Sequence, residues 1–139
     1  PIGINVFAGN DKATVVTDTG VISDDILRRL DDTTLLVLEA NYDPHMLRFG
    51  PYQPFLKQRV ASDEGHLSNE MAAQALLMMK RPNFMQVILA HRSENNNNAV
   101  LVTQTIGKML VDGGVRIGPE MKLQHGQPNE IVSIQSVKR

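Results

Sequence analysis

Apolar and polar positions switch between a two-residue and a three-to-four-residue rhythm along the chain. Residues 4–8 are mostly apolar, Gly9-Asn10-Asp11 has turn chemistry and residues 13–17 are largely β-branched, which together predict an antiparallel hairpin. Ser23 fits an N-cap ahead of Asp24 and Asp25, acids favoured near the positive end of a helix dipole, and that helix should run to about Leu30. Residues 34–40 (TLLVLEA) form a nearly unbroken apolar run, the mark of a strand covered on both faces. Asp43-Pro44 predicts a short helix to about Phe49, stopped by Gly50, and a second one is expected over 55–61. After a polar loop at 62–67, Ser68 caps a helix whose Met71, Ala72, Ala75, Leu76 and Met79 recur on one side until Pro82. Residues 84–90 (FMQVILA) are a second buried-strand run. A helix carrying Val100, Leu101, Ile106, Met109 and Leu110 then leads to Gly113-Gly114. Residues 121–124 and 131–137 read as a closing strand pair. The predicted class is α/β, a mixed β-sheet flanked by helices, with no internal repeat.

The 139 residues, 42% hydrophobic and 21% charged, suit one compact domain. A net charge of -1 gives no overall basic field, so any polyanion would have to be gripped locally. The charge is uneven: residues 1–43 sum to -5 and the remainder to +4. There is no cysteine, which excludes disulfides, thiolate metal sites and a Cys nucleophile, and fits a reducing compartment. Apolar runs break well before the roughly 20 residues a bilayer span requires. A cytoplasmic protein with no membrane partner is the expectation.

Reactive groups in α/β sheets gather where strands end and loops begin. Here three strands end in Thr17-Asp18-Thr19-Gly20, in Glu39-Ala40-Asn41-Tyr42-Asp43 and in Ala90-His91-Arg92-Ser93. Side by side, these ends would bring a carboxylate, an amide and an imidazole to one rim, a donor set suited to zinc, manganese or iron. Each residue also has a plainer reading. Asp18 fits an Asx-turn, His91 a hydrogen-bonded rim residue, and His66 a ring packed on the first turn of the helix after Ser68. His45 and His125 read as solvated, Met71, Met78, Met79 and Met109 as core filler, and the asparagine tract at 95–98 as a mobile loop. No P-loop, dinucleotide fingerprint, H-E-x-x-H helix or G-x-S-x-G elbow occurs.

Four blocks in order, T-D-T-G at 17–20, E-A-N-Y-D at 39–43, S-D-E-G-H-L-S-N at 62–69 and A-H-R-S-E-N-N at 90–96, resemble the carboxyl half of metallo-beta-lactamase-fold hydrolases. The similarity is to the YycJ (WalJ)-type branch in particular. The resemblance implies one half of a four-layer αββα fold, residues 1–139 being the C-terminal half, and the family's H-x-H-x-D-H run is absent from this sequence. It implies that Asp18 bridges two divalent ions, zinc or manganese, that His91 is the last histidine ligand, and that Asn41 and His66 share the catalytic rim. A bridging carboxylate offsets the repulsion of two ions about 4 Å apart, and such a pair makes hydroxide available near neutral pH.

On that resemblance the complete protein is expected to be a phosphodiesterase or DNA exonuclease, with Lys57, Arg59, Arg92 and Ser68 as phosphate or substrate contacts. Hydrolysis of a small ester, thioester or lactam on the same ions, and a non-catalytic interaction half-domain, are the alternatives. Two ligands do not hold a catalytic pair, so the stretch alone is expected to be inactive and to hold no metal pair. Apolar residues on both faces of 35–38 and 85–89 predict a partner for the sheet, either the protein's own N-terminal half or a second copy.

Overall fold

The computed structural model describes residues 2–134. A five-stranded sheet runs in the order β1 (Ile2–Ala8), β2 (Asp11–Thr17), β3 (Leu35–Glu39), β4 (Met85–Ala90), β5 (Met121–His125). β1 is antiparallel to β2 and every later pair is parallel, so the sheet is mixed. Five helices connect the strands: α1 (Asp24–Leu30), α2 (Pro44–Phe49), α3 (Pro54–Val60), α4 (Asn69–Met78) and α5 (Ala99–Asp112). Ser23, Asp43 and Ser68 cap their helices as the sequence predicts, each accepting from the backbone N–H three residues on, and Asn98 does the same for α5.

Strands added one after another in a single direction, each through a crossover of the same hand, leave their helices on one face of the sheet. The core lies on that face, where Val16, Leu36, Leu38, Met85, Val87, Leu89 and Met121 pack against Leu30, Leu76, Val102, Ile106 and Leu110. The register places Ile4, Val15, Val37 and Ile88 in one row on the opposite face. Ile4 there is 53% exposed, Val15 and Val37 are half-buried, and Ile88 is covered. α2 and α3 pack elsewhere, on a small cluster of Tyr42, Leu47, Val60 and Tyr52 beyond the carboxyl ends of the strands.

The structure corrects four expectations. Residues 131–134 form no strand but lie as irregular chain held at Ser133, whose carbonyl accepts from Gln124; residues 135–137 fall outside the described residues. Met78 points outward at 68% exposure, because Met79 takes the core position as the helix ends. The asparagine tract is anchored: Asn96 and Asn97 are buried, and the Asn97 amide exchanges hydrogen bonds with Asn69 and donates to the Ala40 carbonyl. His125 is half-buried rather than solvated. Its Nε2 lies 2.8 Å from Thr103 Oγ1, and its buried Nδ1 has no hydrogen-bond partner among the described residues.

Burial, then the nearby Arg92 charge, holds the His125 pKa below its ordinary value. The unfolded chain therefore takes up a proton as pH falls through about 6.5 that the folded chain refuses, and stability is lost there. Melting wild type and His125→Gln at pH 7.5 and pH 5.5 is expected to give a smaller acid-induced drop in Tm for the variant; equal drops would remove this assignment. No helix among the described residues is long and apolar enough to cross a membrane.

Candidate metal centre

Parallel strands deliver their carboxyl ends to the same rim, so β2, β3 and β4 bring Asp18, Glu39 and His91 together although they are far apart in sequence. Glu39 ends β3 fully buried. A buried carboxyl group needs partners, and this one has four. His66 Nδ1 lies 2.6 Å and His91 Nδ1 2.7 Å from its Oε1, while the backbone N–H groups of Thr19 and Leu67 approach Oε2 at 3.3 and 3.5 Å. A carboxylate only accepts, so each imidazole donates from Nδ1 and turns Nε2 outward. His91 Nε2 then stands 3.7 Å from Asp18 Oδ1.

That separation is close to the roughly 3.4 Å between two donors sharing a tetrahedral ion at about 2.1 Å. Donor atoms of Asp18, Glu39, His66 and His91 all lie within 4.8 Å of one another. A histidine whose Nδ1–H is held by a buried carboxylate is the usual arrangement behind a metal-binding Nε2. The set fits an ion on the Asp18 and His91 side, with Glu39 behind it.

The backbone carries strain at both of these ligand candidates. Asp18 and His91 have φ of 57° and 53°, the left-handed region that side chains disfavour by about 1–2 kcal/mol per residue. Asn41 braces the second of them: its Nδ2 donates to the His91 carbonyl at 2.7 Å, its own carbonyl accepts from Ser93, and its N–H donates to Leu67. One residue thus ties the loops of β3, β4 and His66. Gly20 fastens the remaining loop by donating to the Asp63 carbonyl at 3.1 Å.

The structure brings Asp18, Asn41, His66, His91 and Arg92 to one cavity of about 500 Å³, lined also by Tyr52 and Val60. Ser68 is placed outside its lining as the buried N-cap of α4, its hydroxyl accepting from Met71. Lys57 and Arg59 do not line the cavity either; Lys57 is tied to the Arg48 carbonyl, and Arg59 lies exposed on α3. Sequence reasoning missed Glu39 as a functional residue. Its signal was a single carboxylate inside an apolar strand run.

No protein-family profile matches the chain, and no solved structure matches it. Curated relatives do. Exodeoxyribonuclease YycJ of Bacillus anthracis is 33% identical over 128 residues, covering 92% of this chain and 48% of the relative. Exodeoxyribonuclease WalJ of Streptococcus pneumoniae (strain D39) is 35% identical over 124 residues, covering 88% and 46%. Over most of its own length the chain is thus similar to YycJ/WalJ-type exodeoxyribonucleases, and it spans about half the length of the curated relatives it matches.

Proposed function

We propose that this chain supplies one side of a divalent-metal centre that hydrolyses phosphodiester bonds at DNA ends. The observation that carries the reading is the convergence of Asp18, His66 and His91 on a single buried carboxylate, Glu39. The names of the curated relatives support DNA as the substrate.

Asp18 and His91 Nε2 would hold the ion, zinc or manganese, which when bound supplies the Lewis acidity that makes hydroxide available near neutral pH. The protein's own groups do the rest. Glu39 fixes both imidazoles in the tautomer that leaves Nε2 free, and Asn41 fixes the backbone of His91. Arg92, on the cavity wall, is placed to neutralise a phosphate oxygen. His66, backed by Glu39, turns its Nε2 to the cavity, where it is positioned to take a proton from the attacking water and pass it to the departing oxygen. Asp18 and His91 do not complete the coordination of two ions, so the remaining donors come from outside this chain. Alone, it binds an ion weakly without turning over DNA.

Titration of the chain with Mn²⁺, followed calorimetrically, is expected to show binding that Asp18→Ala and His91→Ala each weaken. Metal uptake identical in wild type and both variants would overturn the proposal.

A further inference from the structure

Among the described residues that line the cavity, Tyr52 and Val60 alone are apolar, and the cation Arg92 shares the space with the carboxylates of Asp18 and Glu94, of which Asp18 is a metal donor. Tyr52 is also held rigidly. It sits in Pro51-Tyr52-Gln53-Pro54, where two prolines limit the backbone between α2 and α3, and it packs on the cluster of Tyr42, Leu47 and Val60. A fixed aromatic ring beside Arg92 and the metal donors is the pairing that a nucleotide offers in reverse: a flat π-face joined through a sugar to a phosphate. Resting on the phosphodiesterase reading above, we infer that Tyr52 is the stacking platform for the base of the terminal deoxynucleotide, whose phosphate lies toward Arg92 and the metal donors.

Two consequences follow from the chemistry. Stacking uses a face that every base possesses, so the site tolerates any base identity. It also needs a base free of its duplex neighbours, so the cavity takes an unpaired end rather than a stacked pair. A volume of about 500 Å³ lies within the range of small-ligand pockets and leaves room for one nucleotide.

The test uses the two tyrosines of the chain as reporters, Tyr42 being buried beneath the site and Tyr52 half-buried at its wall. With ¹³C-tyrosine-labelled full chain, dTMP and 2-deoxyribose 5-phosphate are titrated in parallel and the ring signals followed by NMR. We expect dTMP to shift the Tyr52 ring and to bind about tenfold more tightly than the base-less sugar phosphate, within the usual effect of one stacked base. Tyr52→Leu should abolish that difference and leave the sugar-phosphate affinity unchanged, while Tyr52→Phe retains it. An unchanged far-UV circular dichroism spectrum and a cooperative melt in Tyr52→Leu report that the fold is intact. Equal affinities of the two phosphates, or cavity shifts that spare Tyr52, would overturn the base site while the Mn²⁺ titration on the same sample still supports the metal reading. Failure of both phosphates to perturb the cavity overturns the base site, and loss of Mn²⁺ binding as well overturns the reading beneath it.

Discussion

Glu39→Ala is expected to lower the stability of the folded chain by about 3–5 kcal/mol, the usual effect of removing one member of a buried polar cluster. The carboxyl group is fully buried and receives both histidine Nδ1–H groups and two backbone N–H groups, so its removal strands four donors at once. Against a total of about 5–15 kcal/mol for a domain, this is a large fraction. Glu39→Gln keeps the shape and separates the two roles of the residue. Its amide can accept from the imidazoles only by turning its NH₂ toward the N–H groups of Thr19 and Leu67, so the rings lose their fixed tautomer. Mn²⁺ affinity should fall by roughly ten- to a hundredfold, with a much smaller loss in Tm than for alanine. A Glu39→Ala melt within a degree of wild type would refute this assignment.

Gly20→Ala should have the second largest effect. A Cβ at position 20 would overlap the Ser62 carbonyl oxygen and crowd the Asp63 backbone, neither of which is the yielding tip of a side chain. The loop bearing Asp18 would have to separate from the segment leading to His66. Overpacking of this kind is expected to remove about 1–3 kcal/mol or more, seen as a lower Tm together with weaker Mn²⁺ binding. Gly107→Ala is the matched control. It lies inside α5, where an added methyl group meets only Ile117 at 3.9 Å, and helix propensity predicts a gain of about 0.5–1 kcal/mol. Both variants moving Tm in the same direction would show that backbone proximity at Gly20 is not the cause.

The sequence carried the elements well where local chemistry sets them. Ser68 and Asp43 announce their helices because a cap acts within three residues, and the runs at 34–40 and 84–90 mark buried strands without reference to anything distant. The meeting of Asp18 with His91 was legible as a possibility from strand ends and motif order. Glu39 was not legible as the centre of the site, because its two histidine partners lie 27 and 52 residues away; the parallel register brings in His91, and the bridge of Tyr42 to Ser68 brings in His66. The asparagine tract misled for a related reason. Its composition is that of a loop, but Asn97 finds an amide partner in Asn69, 28 residues earlier, and the pair buries both. Residues 131–134 have the β-branched composition of a strand yet take no place in the sheet.

The left-handed turns at Asp18 and His91 bear on how the centre meets its ion. Two side chains aimed by loops that the fold has already bent, and that Asn41 and Gly20 hold shut, have little wandering left to surrender when a cation arrives. The free energy of aiming them is spent while the chain folds, so the socket is cast in advance rather than moulded around its occupant.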